Sequence, residues 1–151
     1  MRIDRLAVRE PVTLSPDSTI ERAAHLMAEH GVGCLVVTEG KRPVGIVTDR
    51  DLVVRGLAAG RPVDGRVDSV MTFDVVTVES ATDLRDVIHL FGRHAVRRLP
   101  VVTDGEVTGL VSLDDLLASF AGQFVELTNG LTAQLLFPHA GDDAPLPVPP
   151  S

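Results

Sequence analysis

The chain has 151 residues and one cysteine, and its 14 basic and 21 acidic residues give a formal charge of −7. An acidic balance without a basic stripe excludes non-specific nucleic-acid binding; with no Trp or Tyr and only five Phe, a platform for stacking unpaired bases is excluded as well. No apolar run approaches the roughly 18–20 residues of a membrane span, the start Met1-Arg2-Ile3-Asp4-Arg5 has no apolar signal region, and the lone Cys34 rules out an intramolecular disulfide, which fits a reducing cytoplasm.

Residues 3–6 and 67–70 read as short helical lead-ins. Val12-Thr13-Leu14, between Pro11 and Ser15-Pro16, reads as a short strand. Asp17 or Ser18 is placed to cap a helix over about 18–30, with Ile20, Ala23, Ala24 and Met27 at helical spacing and His30-Gly31 at its end. Residues 33–37 form a buried strand, Glu39-Gly40-Lys41-Arg42 a hairpin turn, and 43–48 the return strand. A helix follows over 49–57, and 58–65 is a linker. The second half predicts the same order: strand 75–78, helix 82–94, strand 98–102, turn at Asp104-Gly105, strand 106–112, then helix.

This order recurs because the chain is a duplication. Gly45-Ile46-Val47-Thr48-Asp49-Arg50-Asp51 reappears 64 positions later as Gly109-Leu110-Val111-Ser112-Leu113-Asp114-Asp115. The offset holds without a gap from Ile3/Val67 through Val12/Val76, Thr13/Thr77, His30/His94, Leu35/Leu99 and Val47/Val111 to Leu52/Leu116. Two copies are too few for a solenoid. The expected fold class is α+β: two β-α-β-β-α repeats, each with a three-stranded sheet marginal alone, packed about a pseudo-twofold axis. The expected bounds are 3–60 and 66–121 for the copies, 122–137 for a helical extension, and 138–151 for a disordered, proline-rich tail. Leu113, Leu117, Phe120, Phe124, Leu127 and Leu131 form a helical seam that suits packing on its own domain or a dimer contact. Gly122 and Asn129-Gly130 leave open one broken helix or two short ones.

At each Gly-h-h-Thr/Ser-x-x-Asp junction a strand runs into a helix. The local reading is an N-cap with acids in the first turn; the functional one is a polar-ligand site. Two such copies in register, with Val67-Asp68-Ser69-Val70-Met71-Thr72 and Arg97-Arg98-Leu99-Pro100-Val101-Val102 beside them, resemble a tandem CBS domain pair, or Bateman module. The resemblance covers about residues 3–121. It implies a regulatory, non-catalytic binder of AMP, ADP, ATP or S-adenosylmethionine that needs no cofactor, and flat homodimers that signal to an unknown effector protein. It also implies roles by position. Thr48 and Asp51 serve one cleft and Ser112 and Asp115 the other, each acid taking ribose hydroxyls. Val12, Thr13, Gly33 and Cys34, with Val76 and Thr77, line adenine. Arg97, Arg98 and Arg50 are the candidates for phosphate, so the two clefts are expected to be unequal.

Other chemistry finds less support. His25 and His30, repeated as His89 and His94, are five apart and do not share a helix face. Cys34 lies among aliphatic residues, as a small core residue does. The acids at 49, 51, 114 and 115 suit first helical turns better than paired acid–base catalysis. A structural or partner-binding module with empty clefts is the competing reading, and a small acidic-residue enzyme is the third.

Overall fold

The structure, a computed structural model, describes residues 1–5 and 8–136. The expected tail over 138–151 and the last residue of the extension lie outside them. Among the described residues, those up to Leu116 form one compact unit and those from Leu117 to Leu136 belong to a second.

The first copy contains β1 (Thr13–Leu14), α1 (Ile20–His30), β2 (Cys34–Glu39), β3 (Arg42–Thr48) and α2, which starts as one α-turn over Asp49–Asp51 and continues as a π-helix over Leu52–Leu57. The second contains β4 (Val78–Glu79), α3 (Leu84–His94), β5 (Arg98–Thr103), β6 (Glu106–Ser112) and α4 (Leu113–Leu136). Each copy builds one three-stranded sheet. β1 is parallel to β2 across α1, and β2 is antiparallel to β3; β4, β5 and β6 repeat both relations. Even the irregularities match: the register slips between Val37 and Thr38 in one hairpin and between Val101 and Val102 in the other. The fold is the expected α+β pair about a pseudo-twofold axis, with β3 against β6.

Several local expectations shift. α1 is capped by Thr19, whose hydroxyl accepts the Arg22 N–H at 3.0 Å, not by Asp17 or Ser18. Asp17 is engaged in the preceding turn, accepting the Ser15 hydroxyl at 2.6 Å. β4 begins at Val78 rather than at 75, after Asp74 has taken a positive φ of 54°. The helix after β6 is one continuous element despite its glycines, and its Leu117, Phe124, Leu127 and Leu131 are exposed. α1 ends on Gly31 at φ 64°, whereas α3 ends on Ala95 at φ 50°, a left-handed conformation that costs an alanine ~1 kcal/mol more than a glycine.

The two copies exchange their lead-ins. Val67, Val70 and Met71 open the second copy in sequence, yet they pack among Leu14, Ile20, Ala23, Leu35 and Val47 in the core of the first. Thr72 then pairs with Ile46 of β3 by two backbone hydrogen bonds of 2.8 and 3.0 Å. In the other direction, Ile3 is fully buried and donates its N–H to the Thr82 carbonyl, and Arg9 pairs with Leu110 of β6 at 2.9 and 3.0 Å.

This exchange explains the glycine that opens each repeated motif. A side chain at Gly45 would run into the Met71 sulfur, and one at Gly109 into the Val8 γ-methyl. The two obstacles differ in compliance, because a thioether swings aside more readily than a β-branched side chain beside its backbone. Gly109→Ala is therefore expected to lower unfolding free energy by ~1–3 kcal/mol, and Gly45→Ala by less, in urea titrations of the two variants. Equal losses, or none, would show that the lead-ins do not press on these strands.

Candidate functional site

Thr48 is where β3 becomes a helix. Its backbone is extended at φ −111° and ψ 163°. Its hydroxyl accepts the Asp51 N–H at 3.2 Å, while Asp51 Oδ2 accepts the Thr48 N–H at 2.9 Å and the hydroxyl at 3.0 Å. Thr48 and Asp51 thus close a reciprocal capping box. At the equivalent junction the Ser112 hydroxyl donates to Asp115 Oδ2 at 2.7 Å and accepts the Asp115 N–H at 3.0 Å. The capping reading is therefore correct locally, but it occupies one carboxylate oxygen of each acid. The other oxygen, Oδ1, remains for a further partner, on side chains that are only 17% exposed.

Each acid stands at the edge of a cleft made from both copies. The first, of about 300 Å³, has Ile46, Thr48 and Asp51 on one side; Thr72, Asp74, Val75, Val76 and the run Val96-Arg97-Arg98 come from the other copy. The second, of about 280 Å³, has Leu110, Ser112, Asp114 and Asp115 on one side, with Arg9, Glu10, Val12 and residues 31–34 opposite. Most of the lining obeys the 64-residue offset: Ile46 and Leu110, Val76 and Val12, Asp74 and Glu10, Val96 and Val32. Arg98 borders both clefts.

The structure brings ten of the thirteen expected residues to these clefts. Thr48, Asp51, Val76, Arg97 and Arg98 meet in the first; Val12, Gly33, Cys34, Ser112 and Asp115 meet in the second, again with Arg98. Thr13, Thr77 and Arg50 lie outside both linings. Thr13 is an exposed residue of β1, and Arg50 borders a separate depression with Asp49, Val53 and Val54. Among the residues not expected, Arg9 matters most. The repeat equates it with Phe73, so no internal comparison marks it. Asp74 and Glu10 are an acid pair at the repeat offset, and that signal was present.

The two clefts differ in charge. Asp51 Oδ1 has only the Arg55 Nε, at 3.8 Å, whereas Asp115 Oδ1 accepts Arg9 Nη2 at 2.6 Å. Arg97 is paired with Asp114 at 2.7 Å. Burial pushes the Asp115 carboxyl up, but the hydrogen bonds from Ser112 and Arg9 and the charges of Arg9 and Arg98 outweigh it and hold the group below its usual range. Cys34 is buried, and desolvation, set against the charge of Arg98 and joined by Asp51 and Asp49, pushes its thiol up to about 11. It is a neutral wall residue at physiological pH, not a nucleophile. Among the described residues no group of three or more His, Cys, Asp or Glu could hold a metal ion.

Comparison with known proteins gives this arrangement a family. Residues 3–56 and 67–122 each match the model of the CBS domain. A CBS domain-containing protein of Bacillus subtilis, YhcV, is 39% identical over 104 residues, which is 69% of this chain and 74% of that protein. An inosine-5'-monophosphate dehydrogenase of Korarchaeum cryptofilum is 34% identical over 116 residues, covering 76% of this chain but 23% of the enzyme. Among solved structures, a CBS domain protein of Pyrobaculum aerophilum complexed with AMP superposes with a TM-score of 0.70 at 32% identity, over 77% of this chain and 90% of its own.

The Arg9 pair carries a pH signature. Asp115 has a folded value below the unfolded ~3.9, so its stabilisation is fully present above ~pH 4 and disappears as pH falls through the lower folded value. In a carboxyl-carbon NMR titration, Arg9→Ala is expected to move the Asp115 midpoint upward. An unmoved midpoint would mean that the ion pair does not form in solution.

Proposed function

The chain belongs to the CBS domain family as a tandem pair, and on that premise we propose that it is a regulatory module that binds an adenine nucleotide of the AMP type without catalysis. The observation that carries the reading is the pair of related clefts, each with a capped carboxylate at its rim and aliphatic walls from the sister copy. In the cleft at Asp51 the chemistry suits an adenosine phosphate throughout. Asp51 Oδ1 is open to ribose hydroxyls, each such charge-assisted bond contributing ~1.5–3 kcal/mol. Ile46, Val75, Val76 and Val96 offer an apolar slot for a flat base. Arg98, which makes no ion pair among the described residues, offers a forked donor to phosphate oxygens. The AMP-bound relative supports this choice of ligand. S-adenosylmethionine shares the adenosine portion and lacks the phosphate, so Arg98 favours the nucleotide.

The cleft at Asp115 favours the competing reading in part. Its ribose-facing oxygen is already taken by Arg9, so a ligand there must displace an internal ion pair. We therefore assign the principal site to Asp51 and a weaker one to Asp115. Occupancy is signalled only to the extent that ligand prefers one conformation over another. The elements in position to transmit it are α2 and α4, whose first turns carry the acids. α2 also presents exposed Val53 and Leu57 beside Val63, around an apolar hollow of about 440 Å³ shared with α1. That face suits a second copy of the chain as partner, in a homodimer.

Two measurements test these statements. In a thermal-shift panel, AMP, ADP or ATP is expected to raise the melting midpoint, because a ligand that binds only the native state stabilises it. Asp51→Asn is expected to lower affinity by about ten- to a hundredfold. Wild-type affinity in that variant would remove the ribose role, and no shift with any nucleotide would leave the empty-cleft reading. By light scattering the chain is expected to run as a dimer and Leu57→Arg as a monomer; a wild-type monomer would refute the partner assignment.

A further inference from the structure

The pseudo-symmetry of the two clefts is broken at the start of β2 and β5. Cys34 opens β2, and Arg98, at the same place in the repeat, opens β5 opposite Ser112. The first position holds an uncharged thiol and the second a guanidinium. The other arginines around the clefts are committed: Arg9 to Asp115 at 2.6 Å and Arg97 to Asp114 at 2.7 Å. Among the described residues Arg98 makes no ion pair within 4.0 Å, although it is half-buried and borders both hollows. Its charge acts on Cys34 in one copy and on Asp115 in the other. The molecule therefore has two related hollows and one uncommitted cation between them.

Resting on the nucleotide reading above, we propose that Arg98 is a single phosphate-binding group shared by both clefts, so that two phosphorylated ligands compete for it and bind with negative coupling. A guanidinium reaches full strength when its fork meets one phosphate in two parallel bonds, and it does so for one phosphate at a time. The cleft at Asp51 holds it first, with Arg97 beside it. A second nucleotide then approaches Asp115, Asp114 and Glu10 without Arg98, and Arg9, displaced from Asp115 by the ribose, is the one other guanidinium lining that cleft among the described residues. Adenosine lacks the phosphate and does not draw on Arg98, so it fills the two clefts without this penalty. The module then responds to phosphorylated ligand over a broader concentration range than one site allows, and to unphosphorylated ligand without that spread.

Calorimetric titration of the full chain with AMP and with adenosine decides the matter. For AMP, the second binding event is expected to be weaker than the first. Unequal independent sites would give that pattern too, so the first cleft is closed by Asp51→Asn or, separately, by Thr72→Trp, which obstructs it from an exposed position. Either variant should bind AMP at Asp115 about tenfold to a hundredfold tighter than the second event of the wild type. Arg98→Met should abolish that gain, while Arg98→Lys, which keeps the charge without the fork, should retain part of it. An Asp115 cleft whose AMP affinity ignores the state of its sister, a gain that survives Arg98→Met, or a second AMP that binds more tightly than the first would overturn the coupling while leaving the nucleotide reading in place. Failure of both AMP and adenosine to bind would overturn the two together.

Discussion

The structure depends on the exchange of lead-ins between the copies. A three-stranded sheet with one long helix leaves much of its apolar face open. Here Val67, Val70 and Met71 close the first core, and Ile3 is buried on the second half beside Thr82. Because each segment must cross to the sister copy, it passes over the glycine of a central motif and pairs with the return strand there, at Ile46 and at Leu110. The clefts follow from the same crossing. Thr72 and Asp74 arrive beside Thr48 and Asp51, and Arg9 and Glu10 beside Ser112 and Asp115, on the two segments that hold the cores together. Fold stability and cleft shape are thus products of one arrangement.

Within that near-symmetric frame, a few substitutions set the chemistry. Gly33 and Cys34 face Arg97 and Arg98 across the repeat, and Phe73 faces Arg9. The result is one cleft whose acid is open and whose walls carry cations, and another whose acid is neutralised from within. The π-helical run in α2, against the regular α-helix that begins α4, extends the asymmetry to the elements that carry the acids. A π-turn leaves backbone bonds less regular than an α-turn and often marks a functional position. Here it sits directly behind Asp51.

Much of this was legible from the sequence, for identifiable reasons. The offset between Gly45 and Gly109 exposed the duplication, and apolar runs bounded by turn residues located the hairpins. The capping pattern at Thr48 and Ser112 put both acids in first helical turns. The sequence was less informative where the deciding contact is distant or the alternatives are chemically close. Asp17, Ser18 and Thr19 can all cap a helix, and Ser15 removes Asp17 from the contest by hydrogen bonding to it. Apolar spacing does not separate i+4 from i+5 ladders, so the π-run was invisible. The crossing of the lead-ins depends on long-range packing, and with it the placement of Arg9 on Asp115 could not be read locally. Thr13 and Thr77 show the converse: the family resemblance implied a place at the clefts, and neither lining includes them.

On the proposed function, an adenine nucleotide lodges between the two copies at Asp51. Backbone amide NMR during titration with AMP tests it residue by residue. Saturable shifts are expected at Ile46, Thr48, Asp51, Val76 and Arg98, with α1 little affected. Shifts confined to the outer face of α1 and α2, or none at saturating nucleotide, would contradict it.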